Sequence, residues 1–181
     1  MSRERASQGS ASGATPLAAV RPIAPGDVTR VWELLRGLAE YEKLAEIVTG
    51  DADQLREALF GTGDRLRGLV AELAGRLVGY ALYYPAFASF RARWRLWLED
   101  VYVEPEARGS GAGVALMAEL ARLTLDGGYL ALDWELDARI GIAQGPAARC
   151  DGVPIDEPRA RRCVANVHHR RSDEERERKF P

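Results

Sequence analysis

The 181-residue chain has little of the chemistry that metal centres and disulfide frameworks require. It contains only two cysteines and two histidines. Cys150 and Cys163 lie in a C-terminal segment without helical or strand periodicity, and so they predict neither a disulfide framework nor a zinc site. The adjacent His168 and His169 are interpreted as part of a solvated basic tail. We therefore expect no bound metal.

Long apolar runs and a strong net charge are also absent. The chain has no run of about 18 apolar residues, and residues 1–15 are rich in Ser, Ala and Gly without an apolar segment. Neither a transmembrane helix nor a secretory signal is therefore predicted, and the expected location is the cytoplasm. The formal net charge of −2 argues against general affinity for nucleic acid and is compatible with cationic substrates.

What the chain does have is a succession of short periodic segments. Together they predict one α/β domain over residues 18–134, preceded by a disordered arm at 1–17 and followed by an Arg-rich, poorly ordered tail at 135–181. Helices are predicted at residues 28–41, 53–60 and 111–126. Strands are predicted at residues 18–23, 66–73, 77–84, 95–103 and 129–134. The apolar face of the third helix is expected to comprise Val114, Met117, Leu120, Ala121 and Thr124.

The most informative segment joins the strand at residues 95–103 to a glycine-rich turn and then to a helix. Glycines let backbone N–H groups approach a ligand, and a helix N-terminus adds unpaired N–H groups and a positive dipole end. The turn predicts a pyrophosphate site. It lacks the Lys-Ser or Lys-Thr ending of a P-loop, and its glycine spacing differs from that of a dinucleotide fold. A nucleotide fold nevertheless stays as a minor alternative, with Asp133 as the ribose-binding acid.

The residues around this turn resemble the GNAT acetyltransferases. Residues 97–103 (WLEDVYV) and 108–113 (RGSGAG) resemble the run YLED-[LF]-[FY]-V-x-P-x-x-R-G-x-G-I-G of the diamine (spermidine/spermine-type) and thialysine N-acetyltransferase branch. Residues 38–44 (LAEYEKL) resemble the first helix of that branch, and residues 83–90 (YYPAFASF) its aromatic strand and loop. The resemblance implies a mixed central sheet with flanking helices, acetyl-CoA as co-substrate, a small amine as acceptor and a homodimer.

The resemblance also implies site residues. Glu99 would bind the acceptor amine and accept its proton. Tyr41 and Glu42 would line the acceptor pocket, although an amphipathic helix commonly ends in such residues without any such role. The coenzyme would be bound by the backbone of the strand and by the turn, at Val101, Tyr102, Val103, Arg108, Gly109, Ser110, Gly111, Ala112 and Gly113.

Glu99 and Asp100 are neighbours in a predicted strand. Strict alternation places their side chains on opposite faces, so only one of them can point into a given cleft. By resemblance that residue is Glu99, and Asp100 is interpreted as structural. A competing interpretation makes Glu99 the ion-pair partner of Arg93 or Arg95.

After Trp134 the sequence departs from the family pattern. The branch continues W-N-x-x-[AS]-x-x-F-Y, in which the Asn contacts the coenzyme and the Tyr protonates the leaving thiolate. Here Glu135 follows Trp134, and no tyrosine occurs after Tyr129. A frameshift and a genuinely divergent tail are alternative explanations. Either would leave the last elements of the fold missing or disordered and would weaken the dimer.

Two function classes follow. The first is an acetyl-CoA-dependent N-acetyltransferase acting on a polyamine, a thialysine-like amine or another small primary amine. The second is a degenerate domain that binds acyl-CoA without turnover, and the missing tyrosine motivates it. The sequence does not name the amine.

Overall fold

A computed structural model describes residues 18–63, 66–136 and 161–165, and for residues 135, 136 and 161–165 it describes the backbone alone. The helices are α1 (Val28–Tyr41), α2 (Ala52–Phe60) and α3 (Ala112–Asp126). The strands are β1 (Ala19–Pro22), β2 (Arg67–Leu73), β3 (Arg76–Ala88), β4 (Arg93–Val103), β5 (Leu132–Leu136) and β6 (Arg161–Ala165). The α/β class and the order of elements predicted from the sequence are confirmed. No helix in the described ranges is long and apolar enough to span a membrane.

The six strands form one sheet in the order of the chain, from β1 to β6. All neighbours are antiparallel except β4 and β5, which are parallel. The sheet is therefore mixed, as the resemblance implied. β5 continues two residues past Trp134, and β6 lies within the segment predicted to be a disordered tail. The predicted arm at residues 1–17 and the rest of the predicted tail lie outside the described residues.

Each face of the sheet is covered by a different hydrophobic cluster. One face packs against α1 and α2, because apolar residues recur on one side of each helix. The other face packs against α3. The first cluster comprises Ile23, Val28, Val31, Leu34, Leu55, Val70, Tyr80, Leu82 and Tyr102. The second comprises Leu69, Ala71, Val78, Ala81, Tyr83, Leu96, Leu98, Ala107, Ala112, Leu116, Leu120 and Leu132.

The predicted apolar face of α3 is partly wrong. Val114 is 76% exposed, whereas the buried stripe comprises Ala112, Leu116, Leu120 and Thr124. These four residues recur every fourth position, which keeps them on one side of a helix with 3.6 residues per turn. Val114 lies about 200° around the helix from Ala112 and so faces solvent.

A carboxylate links α1 to the sheet. Glu104, just after β4, accepts from Arg30 of α1 at 2.6 Å and contacts Arg76 at the start of β3 at 2.5 Å. Arg30 also donates to the Leu77 carbonyl at 3.3 Å. These contacts fix the first turn of α1 beside the start of β3 and the end of β4.

The turn between β2 and β3 contains a strained residue. Ala74 and Gly75 are its two central residues, with φ of +50° and +78°. Two positive φ angles characterise the type I′ hairpin turn, which favours Asn-Gly. Ala has no side-chain group to offset the left-handed conformation, which costs an L-residue about 1–2 kcal/mol.

Replacing Ala74 by Asn should therefore raise the free energy of unfolding by about 0.5–1 kcal/mol, because Asn tolerates positive φ better than Ala. Urea denaturation would measure the change. Gly75→Ala is the matched control. An added Cβ there meets no atom within 4 Å, so the expected loss of stability comes from the backbone alone. Equal or lower stability of Ala74→Asn would contradict the assignment of strain to this turn.

Candidate active site

The two parallel strands β4 and β5 stay together for only three residue pairs. Leu96, Trp97 and Leu98 pair with residues 132–134, and the described part of β5 makes no pairing with β4 beyond that point. β5 instead continues to Leu136 alongside β6. The backbone of residues 99–103 in β4 therefore faces a gap. Backbone N–H and C=O groups in such a gap can pair with an extended ligand, as a further strand would.

A β-bulge lies where the gap begins. Leu82 of β3 pairs with Asp100, whereas the next residue, Tyr83, pairs with Leu98. Glu99 is therefore an extra residue with no partner on β3, and the alternation of side chains is interrupted there. Trp97 and Asp100 are three residues apart, yet they face the same side of the sheet because their partners on β3 are two residues apart.

This bulge corrects one sequence prediction. Strict alternation was expected to place Glu99 and Asp100 on opposite faces. Instead, Glu99 contacts Tyr84 and Trp97, which lie on the same face as the Leu82–Asp100 pair. Both carboxylates therefore lie on the α1 side of the sheet. The prediction failed because a bulge depends on pairing with the neighbouring strand, and pairing cannot be read from the strand's own sequence.

The Glu99 carboxylate is exposed but held by two donors. The indole N–H of Trp97 donates to its Oε2 at 3.0 Å, and the Tyr84 hydroxyl donates to the same oxygen at 3.3 Å. Neither contact uses Oε1. Burial, followed by the charge of Glu99, raises the pKa of the Tyr84 hydroxyl, so Tyr84 remains a donor at neutral pH.

Asp100 lies within electrostatic reach of two other acids. Burial raises the pKa of Asp100 to about 6, and the charges of Glu99 and Glu42 add to the increase. Glu42 follows the last residue of α1, so the end of that helix brings it near Asp100. Tyr80, beneath this group, is fully buried. Its hydroxyl has no hydrogen-bond partner in the described structure, and burial followed by the Asp100 and Glu42 charges raises its pKa.

The competing interpretation of Glu99 as an ion-pair partner of Arg95 is not supported. Arg95 instead forms a salt bridge with Asp133 of β5, which is 3% exposed. Asp133 is thereby engaged at the junction of β4 and β5, and the nucleotide fold that would have used it to bind ribose does not match this topology.

The glycine-rich turn lies at the far end of β4 and leads into α3. Gly109 and Gly111 have φ of +84° and +87°, and no atom lies within 4 Å of a Cβ built on either. Ala112 N–H is capped by the Ser110 hydroxyl at 3.4 Å. Gly113 has ordinary backbone angles, and an added Cβ would touch only Val103 at 3.7 Å. The turn therefore exposes the start of a helix and keeps the space in front of it clear.

Arg108 connects this turn with α1. Its guanidinium lies 4.6 Å from the ring centroid of Tyr41 and 6.0 Å from that of Tyr102. Its Nε donates to the Val103 carbonyl at 3.2 Å. Such cation–π contacts are worth about 0.5–1 kcal/mol at exposed sites. Of the two helix-end residues predicted to line the acceptor pocket, Glu42 is thus near Asp100, whereas Tyr41 contacts Arg108.

The residues of β4 predicted to bind the coenzyme differ in exposure. Val101 is 38% exposed, whereas the Tyr102 side chain is 8% exposed and packs in the α1 cluster. The Tyr102 backbone pairs with Tyr80 of β3, so the backbone groups that point away from β3 are those of Val101 and Val103. Tyr84 and Trp97 lie in segments that resemble the family, but no role was predicted for them from the sequence. The one signal for Trp97 is its i, i+2 spacing to Glu99, which places both on one face of a strand.

The chain is similar to a known protein family and to curated members of it. The model of the acetyltransferase (GNAT) family matches residues 31–140, more than half of the chain. Thialysine N-epsilon-acetyltransferase of Bos taurus is 36% identical over 128 residues, which cover 64% of this chain and 75% of that protein. Thialysine N-epsilon-acetyltransferase of Sus scrofa is 35% identical over 132 residues, covering 66% of this chain and 77% of that protein.

Solved structures share the fold at lower identity. An aminoglycoside acetyltransferase from an uncultured soil metagenomic sample, in complex with sisomicin, matches with a TM-score of 0.58 and 16% identity. That match covers 69% of this chain and 81% of the other. The family model and the curated relatives place the chain in the GNAT family, and it is therefore an acetyl-CoA-dependent N-acetyltransferase.

Proposed function

We propose that the chain transfers the acetyl group of acetyl-CoA to a primary amine of a small cationic acceptor, a polyamine or a thialysine-like amine. The observation that carries this proposal is the convergence of Glu42, Glu99 and Asp100 where β4 and β5 separate. Three carboxylates attract an ammonium group, and the aromatic ring of Tyr84 beside Glu99 offers a face on which a cation can stack. The names of the bovine and porcine relatives support an amine of this class.

The described residues fit the coenzyme. The backbone of Val101 and Val103 faces the gap and can pair with the extended pantetheine arm. The turn presents the N-terminus of α3 to the ligand, and positive-φ glycines keep its surface open. Arg108 at the edge of the turn supplies a charge for the pyrophosphate, and binding it there would draw the guanidinium away from Tyr41.

Acetyl transfer requires the chain to remove a proton from the acceptor amine. When bound, acetyl-CoA supplies an acetyl group activated as a thioester, whose carbonyl carbon bonds to the amine nitrogen as the bond to sulfur breaks. An alkylammonium group has a pKa near 10, so the acceptor must lose a proton before it can attack. Glu99 accepts this proton through Oε1, directly or through one water. Asp100 and Glu42 hold the remaining positive charge of the acceptor.

The missing tyrosine favours a second candidate function. Because no tyrosine follows Tyr129, the residue that protonates the thiolate in the resembling branch has no counterpart. A thiol pKa of about 8.5 makes a thiolate a tolerable leaving group that water can protonate. If that route is too slow, the domain binds acyl-CoA without turnover.

Glu99→Gln should lower kcat about 100-fold, because general base catalysis typically contributes 10²–10⁴-fold and Gln cannot accept the proton. Release of thiol from acetyl-CoA would be measured with spermidine, spermine, putrescine, thialysine and lysine. Glu106→Gln is the control, since Glu106 lies after β4 in the short turn before Arg108. Wild-type turnover by Glu99→Gln would contradict the base role. Coenzyme binding without turnover in the unmodified chain would support the second candidate function.

Arg108→Ala should raise the KM for acetyl-CoA about 10-fold and leave kcat nearly unchanged, because a hydrogen bond to a charged group contributes about 1.5–3 kcal/mol. Steady-state kinetics at saturating acceptor would measure both constants. Arg122→Ala is the control, because Arg122 pairs with Glu119 and Asp126 on the same helix that the turn begins. An unchanged KM for acetyl-CoA in Arg108→Ala would argue against its contact with the pyrophosphate.

Asp100→Asn should stabilise the protein at pH 8 by about 2–3 kcal/mol, since each pKa unit is worth about 1.4 kcal/mol. The pKa of Asp100 rises to about 6 on folding. Between about pH 4 and 6 the folded state thus binds more protons than the unfolded state, and Asp100 lowers stability as the pH rises through that window. The gain from Asn should therefore disappear by pH 4. Urea denaturation across this range would check it, and a gain independent of pH would contradict it.

A further inference from the structure

A chain of contacts leads from the buried junction of β4 and β5 to the Glu99 carboxylate. Asp133 is 3% exposed and pairs with Arg95. The Arg95 guanidinium lies 5.6 Å from the ring centroid of Trp97, and the Trp97 indole N–H donates to Glu99 Oε2 at 3.0 Å. A partly buried ion pair, an aromatic ring and an exposed carboxylate are thus in consecutive contact.

We propose that Trp97, held in place by the Arg95–Asp133 pair, is a positioning residue that fixes the orientation of the Glu99 carboxylate. This inference rests on the proposed role of Glu99 as the base. Glu99 lies in a bulge and is exposed, so its side chain lacks the packing that would otherwise restrict its rotamers. Because the indole and the Tyr84 hydroxyl both donate to Oε2, neither of them competes with the acceptor amine for Oε1.

The indole suits this task because it is a donor without an acceptor function. It can hold a carboxylate oxygen but cannot take up the proton that Glu99 receives. The Tyr84 hydroxyl contacts the same oxygen at the longer distance of 3.3 Å, and a hydroxyl can both donate and accept. Trp97 is therefore the donor that keeps one oxygen occupied whatever the protonation of the other.

The ion pair restricts the ring in turn. Arg95 and Trp97 lie on the same face of β4, two residues apart, and Trp97 pairs with Asp133 across the strands. Since Asp133 is buried, its salt bridge with Arg95 leaves the guanidinium little freedom, and the cation over the ring favours one ring orientation. Precise placement of a catalytic group depends on this kind of support from neighbouring residues.

A double-mutant cycle tests the inference, because residues that act through one another show non-additive losses. Trp97→Phe removes the N–H but keeps an aromatic ring beside Arg95. We expect it to lower kcat about 10-fold, with the KM for acetyl-CoA within about two-fold of wild type. In the Glu99→Gln background the same change should cause no further loss. Trp94→Phe, on the same strand and 55% exposed, is the matched control and should retain wild-type kinetics.

A spectroscopic measurement makes the test independent of turnover. The chain has four tryptophans, which give four indole N–H resonances in an ¹⁵N–¹H spectrum. The resonance lost in Trp97→Phe identifies Trp97, and Glu99→Gln should shift that resonance more than the other three, because its partner loses its charge.

The outcomes separate the inference from the proposed function. Full turnover by Glu99→Gln marks failure of the proposed base role. If Glu99→Gln does lose turnover, two results would overturn the positioning role alone. One is a double variant whose loss is the product of the two single losses. The other is a Trp97 resonance that does not move in Glu99→Gln. A loss of fold in Trp97→Phe would be visible as a change in all three remaining indole resonances. Trp97→Tyr, which retains an aromatic ring with a donor group, should recover part of the turnover.

Discussion

The site depends on the short contact between β4 and β5. β4 follows β3 from its first residue to its last, but it leaves β5 after only three pairs. Beyond Leu98, β4 therefore has β3 as its one neighbouring strand among the described residues, and its other backbone edge is not paired with a strand. The glycine-rich turn begins shortly after the same strand, so one element presents a backbone edge, a carboxylate and a helix N-terminus in sequence. The functional groups need no further domain to bring them together.

The electrostatics of the site oppose the stability of the fold. Asp100 lies deep enough for burial to be the main cause of its raised pKa, and neighbouring acids increase the effect. An apolar residue at that position would pack without this penalty. The Arg95–Asp133 pair at the junction differs from Asp100, because its two charges are opposite and compensate each other.

The sequence was sufficient wherever the deciding interaction is local. The helix at residues 28–41 has the predicted bounds, because its apolar spacing, and not a distant contact, determines it. The glycine-rich turn was likewise evident, since positive φ angles at Gly109 and Gly111 require that residue type. Prediction failed where the pairing between strands determines which way a side chain points, as at the Glu99 bulge. The contact between Arg108 and Tyr41 was also missed, because 67 positions separate them and no spacing rule connects them.

The bulge makes one position of β4 dispensable for strand pairing. Leu98 pairs with Tyr83 and Asp100 with Leu82, so removing Glu99 would keep both pairs and restore one-to-one pairing with β3. Tyr102 would stay in the cluster beneath α1, and Leu96 and Leu98 would stay in the cluster beneath α3. The extra residue thus adds an exposed carboxylate to the strand without taking part in the register that builds either layer of the core.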